Sequence, residues 1–159
     1  MNSKLFRNAA ALVLLTVGAV GSVYAFSDTE PCKDRLLEGR YGFTLQGTKL
    51  AYLGPTGLQV GVAMADFDGK GIFTQIDTVT INGEVVSDFT HPHANGTYTV
   101  NPDCTGTFTI DFTDGRPPVV TSFVVVNNGF EIDTVVTSAG GMEGILALGS
   151  VGKKVSWIP

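Results

Sequence analysis

The alternation of apolar and polar residues changes along the chain at about residue 40. Beyond that point, short runs rich in Thr, Val, Ile and aromatic residues alternate with a period of two, as side chains do on the two faces of a β-strand. Tyr41, Phe43 and Leu45 begin the pattern, and the segments 58–64 and 72–81 continue it. No long helix-period segment follows residue 40. The pattern predicts an all-β domain of about eight or nine strands.

Turn residues separate these runs at regular spacing. Asn-Gly or Asp-Gly pairs stand at 68–69, 82–83, 95–96, 114–115 and 128–129. Such pairs suit the type I′ turns of hairpins, because both central residues have positive φ. Hairpins join strands that are neighbours in the sequence, so we predict a single antiparallel meander.

A meander of about eight strands removes its exposed edges by closing into a barrel. A two-sheet sandwich is the main alternative. The barrel is preferred because several runs, such as 122–128, are apolar on both faces or carry small residues.

The first residues have the features of an export signal. Lys4 and Arg7 precede an apolar run at 9–23 that is too short to span a membrane comfortably, and Ala25 ends a small-residue cleavage site. We therefore predict a signal peptide at 1–25, export to the periplasm or the extracellular space, and no membrane association after cleavage. An uncleaved membrane anchor is the alternative.

The mature chain then divides into two parts. Residues 26–39 form a polar N-terminal segment with one short helical turn, begun near Pro31 and ended by Gly39. Residues 40–159 form the β-barrel domain.

The mature chain has two cysteines, Cys32 and Cys104. In an oxidising compartment an even pair is most often a disulfide. We predict that this bond ties the N-terminal segment to the barrel. A reactive thiol at Cys104 is the alternative.

Net charge narrows the classes of partner. The formal charge of −5 becomes −7 once Lys4 and Arg7 are removed with the leader. An acidic domain repels phosphate backbones, so we expect no nucleic-acid partner.

Two histidines offer the clearest metal-site pattern. His91 and His93 flank a proline in a segment of extended bias, so both imidazoles can point to one side. A zinc or copper site needs three or four ligands, and the candidates for a further ligand are Asp88 and Asp103. Solvated loop histidines are therefore the favoured interpretation, and we predict no metal and no cofactor.

Other motifs give little chemistry. The stretch DFDGKG at 66–71 begins like a calcium loop but lacks the later acidic ligand, so we interpret it as a hairpin turn. Asn95 begins a glycosylation sequon. The chain has no nucleophile elbow, phosphate loop or dinucleotide fingerprint.

Barrels of about eight strands can hold one small ligand, and aromatic residues are the candidates to line such a cavity. We single out six of them as candidates: Tyr41, Phe43, Phe73, Tyr98, Phe108 and Phe123. The same residues would equally serve a solid core.

Three stretches resemble those of small exported bacterial proteins. They are C-x-x-R-L-x-G-R-Y-G-F at 32–43, F-D-G-K-G at 67–71 and G-T-Y-T-V-N-P-D-C-T-G-T at 96–107. On these the chain is identified as a member of the allene oxide cyclase barrel-like group, which is related in shape to calycins and lipocalins. The resemblance implies a barrel that encloses a reactive hydrophobic substrate and cyclises or isomerises it without a cofactor.

Three functions follow as hypotheses. The leading one is a binding protein for a small apolar molecule held in the barrel. The second is a cofactor-free cyclase or isomerase that uses the same cavity, and the third is a structural module with a filled core. A buried carboxylate in the cavity would favour the enzyme. Glu131 and Glu143 are the first carboxylates to test, although an outward orientation is favoured for both.

Overall fold

The computed structural model describes residues 31–51, 54–90 and 94–155. The signal peptide predicted at 1–25 lies outside these residues, and so do His91 and His93. The described strands are β1 (Gly39–Lys49), β2 (Gly57–Phe67), β3 (Ile72–Ile81), β4 (Glu84–Ser87), β5 (Ala94–Val100), β6 (Thr105–Phe112), β7 (Val119–Val126), β8 (Glu131–Ala139) and β9 (Leu146–Lys154). Two 3-10 turns, Asp34–Leu37 and Asn127–Gly129, are the helical elements of the described chain. None of its helices is long and apolar enough to cross a membrane.

The strands close into an antiparallel barrel of eight, as the turn spacing predicts. Each barrel strand pairs with its neighbour in the sequence, and β9 returns to pair with β1. The extra strand, β4, forms a hairpin with the end of β3. The predicted all-β meander is therefore confirmed.

One position in the barrel wall is shared by two strands. β4 pairs with Val79 to Ile81 of β3, whereas β5 pairs with Ile72 to Gln75 on the same side of that strand. Both run antiparallel to β3. Because the pairing with β5 ends at Gln75 and the pairing with β4 begins at Val79, the hydrogen-bonded ladder on this edge is interrupted between these two residues. This interruption lies beside the cavity described below.

The Asn-Gly pairs have two different roles. Asn82 and Gly83 have φ values of 51° and 88° and join β3 to β4, as expected for a type I′ turn. The turn predicted at 95–96 is wrong, because both residues lie inside β5. Gly96 instead faces Phe73 across the ladder, and a Cβ there would overlap the Phe73 ring. This glycine thus makes room for an aromatic side chain.

The apolar face of β2 points away from the core. Leu58, Val60 and Val62 are exposed, Leu58 to 60%. The interior face carries smaller residues, among them Ala63 and Ala65. Because the inside of a small barrel is narrow, short side chains on one strand leave space for the large rings of its neighbours.

One end of the barrel is plugged by the N-terminal segment. Leu37 of the first 3-10 turn is fully buried. The Asp34 side chain accepts a hydrogen bond from the Val100 amide at 2.7 Å. Cys32 and Cys104 lie at disulfide distance, with their Cα atoms 5.1 Å apart. The predicted cysteine pairing and the short helical turn are thus both present.

Candidate functional site

The barrel is filled at the plugged end and hollow at the other. A cavity of about 260 Å³ opens toward the ends of β1 and β6. Its aromatic and small apolar lining includes Phe43, Phe67, Phe73, Phe108, Ala63 and Ala65. The rim is formed by strand ends and loops, including Lys49, Pro55, Val86, Arg116 and Leu146.

Half of the six predicted aromatic residues line this cavity. Phe43, Phe73 and Phe108 do so. The other three, Tyr41, Tyr98 and Phe123, are buried in the cluster at the plugged end and are not part of the lining. They support it instead: the rings of Phe108 and Phe123, for example, stack with centroids 4.2 Å apart.

The two tyrosine hydroxyls of this cluster already have backbone partners. The Tyr41 hydroxyl donates to the Gly129 carbonyl, and the Tyr98 hydroxyl donates to the Asp34 carbonyl at 3.2 Å. Burial raises the pKa of each phenol to about 12. Tyr98 therefore ties the N-terminal plug to β5, Tyr41 ties β1 to the connection between β7 and β8, and both phenols stay neutral at physiological pH.

A polar trio interrupts the apolar lining. The Asp77 carboxylate accepts hydrogen bonds from Gln75 Nε2 at 3.0 Å and from Ser87 Oγ at 2.5 Å. All three residues line the cavity, and only 6% of Asp77 is exposed. The trio sits where the β3 ladder passes from β5 to β4.

The three residues of the trio are not among the candidates predicted from the sequence, although the pattern of β3 contains a sign of them. Gln75 and Asp77 alternate with Ile76 and Thr78, so they share the inward face of β3 with Phe73. Two polar residues on an otherwise apolar face are unusual, because a buried carboxylate needs compensating interactions. That pattern was the available clue.

The carboxylates singled out from sequence lie elsewhere. Glu131 is 3.8 Å from Lys153, outside the barrel, and Glu143 is exposed in the β8–β9 connection. Neither lines the cavity. Both side chains point outward, as the sequence interpretation favoured. The carboxylate that lines the cavity is instead that of Asp77.

Two cations stand at the rim. Lys49 is buried, and both its burial and the nearby charge of Arg116 lower the pKa of its ammonium group. The Arg116 guanidinium lies 2.7 Å from Asp114 and stacks over the Phe112 ring at 4.1 Å. The cavity thus combines a cationic rim with an acidic group in its wall.

The remaining motifs have structural roles where they are described. Asp68 Oδ1 accepts hydrogen bonds from the amides of Lys70 and Ile72 at 2.7 and 3.0 Å, which closes the β2–β3 hairpin. The DFDGKG stretch is thus a turn. Across 31–51, 54–90 and 94–155, no three side chains of His, Cys, Asp or Glu come together as a metal site. His91 and His93, the weak candidate ligands of the sequence analysis, lie outside those residues.

The fold and the cavity define a class: a small, closed antiparallel β-barrel with a plugged end and a cup-shaped interior, the architecture of calycin-like folds. Compared with models of known families, with curated proteins and with solved structures, the chain matches none of them.

Proposed function

We propose that this protein binds a small, mainly apolar molecule inside the barrel. The observation that carries the proposal is the 260 Å³ cavity, which is lined by aromatic rings and small side chains and opens at one end. Its size is close to the lower end of the range of roughly 300–1,000 Å³ that is typical of small-molecule sites. A hollow interior also favours ligand binding over a structural module with a filled core.

Filling the cavity from its wall tests this proposal. Ala63 lines the cavity and pairs with Phe43 on one side and Asp77 on the other. Ala63→Leu should weaken binding of the neutral fluorescent probe N-phenyl-naphthylamine by about tenfold or more, because the added atoms occupy the probe's space. Ala147→Leu adds the same atoms to an exposed position on β9 and should leave the affinity unchanged.

Native mass spectrometry of protein purified without denaturation would then give the mass of a co-purified ligand. The proposal is wrong if the wild-type protein does not bind the probe. It is also wrong if Ala63→Leu binds the probe as tightly as the wild type and Ala147→Leu do.

A second candidate is a cofactor-free isomerase or cyclase, the activity implied by the family resemblance. The buried carboxylate of Asp77 favours it, since a buried carboxyl group that lines a cavity is a candidate general acid or base. Incubation with allene oxides, followed by chiral chromatography, would detect turnover. An enzyme of this kind should lose turnover but keep probe binding in Asp77→Asn, and Asp111→Asn, on the outer face of β6, should retain both.

We also propose that the chain is exported. The cysteine pair at disulfide distance supports this, because such pairs persist in oxidising compartments. Sequencing the N-terminus of the protein from its own source would test the prediction, which places the first mature residue at Phe26. An intact leader on a cytoplasmic protein with two reduced thiols would overturn it.

A further inference from the structure

The carboxylate of Asp77 is buried without a charged partner among the described residues. Its hydrogen bonds come from an amide and a hydroxyl, both neutral. The described ion pairs lie elsewhere, at Arg40–Asp66, Arg116–Asp114 and Lys153–Glu131. Removing a carboxylate from water is costly unless an opposite charge compensates it. The cavity therefore contains an acidic group whose natural complement is a cation.

The Asp77 carboxylate can accept further hydrogen bonds beyond those from Gln75 and Ser87. An ionised carboxyl group has about four lone-pair sites, and the two hydrogen bonds from Gln75 and Ser87 use one on each oxygen. Both donors lie on strands, so the carboxylate is fixed in orientation before a ligand arrives. The remaining sites are available to a donor inside the cavity.

The surroundings of Asp77 suit an apolar molecule with a positive end. Ala63 stands beside Asp77 in the ladder and its short side chain leaves space, and Phe43 follows on the next strand. Phe73 lines the same cavity from the strand that carries Asp77. Aromatic faces attract cations as well as apolar groups.

We propose that the molecule bound in this cavity carries a protonated amine on an apolar body, and that the ammonium group pairs with Asp77. The inference rests on the proposed binding function and adds the chemical class of the ligand. The apolar body occupies the aromatic lining, and the ammonium donates to the carboxylate oxygens. A charge-assisted hydrogen bond of this kind is roughly twice as strong as a neutral one, so a neutral analogue should bind less tightly.

The rim offers the competing arrangement, an anionic head group placed between Lys49 and Arg116. The observations favour Asp77, because Arg116 already has the Asp114 carboxylate at 2.7 Å. Asp77, by contrast, has only neutral donors among the described residues. The anionic ligand is therefore kept as an outcome of the test.

Four ligands that share one alkyl chain test the inference: octylamine, octanol, N-octylacetamide and octanoate. Each displaces N-phenyl-naphthylamine from the wild-type protein, and the concentration at half displacement gives the relative affinity. We expect octylamine to bind at least about tenfold more tightly than octanol and N-octylacetamide, since those two cannot form the ion pair. Asp77→Asn should remove that preference.

Asp111→Asn is the matched control. It removes the same charge from the exposed face of β6 and should preserve the preference for the amine. Equal binding of octylamine, octanol and the acetamide would overturn the amine inference and leave the binding function intact. Tightest binding of octanoate, lost in Lys49→Met, would overturn it in favour of the rim. Failure of the probe to bind the wild-type protein would instead refute the binding function itself.

The Asp77→Asn result is interpretable if the variant folds, which comparison of its circular dichroism spectrum with that of the wild type establishes. If the variant does not fold, the wild-type comparison of octylamine with N-octylacetamide decides. The two molecules share the alkyl chain and the nitrogen atom, and acetylation removes the positive charge. A preference for the amine of less than about twofold would then contradict the proposal.

Discussion

Loss of the Cys32–Cys104 bond should lower the stability of the barrel without unfolding it. The two residues are 72 positions apart. In the chain-entropy treatment, a closed loop of that length stabilises the folded state by about 4 kcal/mol, because the bond restricts the unfolded chain. For a domain of this size each kcal/mol corresponds to roughly 3–4 °C. Reduction should therefore lower the melting temperature by about 12–16 °C.

The N-terminal plug should remain in place after reduction, because other contacts hold it. Leu37 is fully buried, and Asp34 accepts a hydrogen bond from the Val100 amide. The Cys32 amide also donates to the Pro102 carbonyl at 3.2 Å. These contacts are independent of the sulfur bridge, so the native circular dichroism spectrum should persist below the lowered transition.

Differential scanning calorimetry with and without a phosphine reductant measures the effect. A thiol titration establishes that the bond is closed before reduction and open after it. The double variant Cys32→Ser/Cys104→Ser should melt near the reduced wild type and should not respond to the reductant. A wild type whose melting temperature changes by less than about 2 °C on complete reduction would refute the argument.

Two further predictions concern aromatic residues in the barrel interior. Gly152→Ala should destabilise the fold by about 1–3 kcal/mol in urea unfolding, since the new Cβ would overlap the Phe43 ring. An unchanged midpoint of the urea transition would show that the ring can move aside freely. Alkaline pH should also destabilise the protein, because burial raises the pKa of Tyr41 and Tyr98 to about 12, whereas an unfolded phenol has a pKa near 10. The contribution of the two phenols to stability is complete below pH 10 and is lost as the pH rises toward 12. The free energy of unfolding measured across this range should therefore fall. A free energy that does not change with pH in the wild type would contradict the burial of both phenols.

The sequence was informative wherever structure depends on near neighbours. The period-two alternation of Tyr41, Phe43 and Leu45 predicts β1, and the Asn82-Gly83 pair predicts the hairpin that follows β3. Each signal depends on a few consecutive residues and their backbone preferences. The number of strands and their meander order followed from the same local signals.

Asn95-Gly96 shows where such reasoning fails. The pair has the composition of a tight turn, yet Gly96 lies inside β5, where the ring of Phe73 occupies the space that a side chain would fill. The reason for this glycine lies more than twenty positions away along the chain. Local composition alone does not contain that information.

By itself, the sequence determined an all-β chain of short strands, their antiparallel order and a cysteine pair suited to one bond. Only the tertiary structure decided which face of each strand points inward, where the interior is hollow and which polar residues meet there. Asp77 and Ser87 come together because β4 pairs Ser87 with Val79, which is two residues from Asp77 on the same face of β3. Register depends on packing between distant strands, because a one-residue slip would turn every side chain to the opposite face.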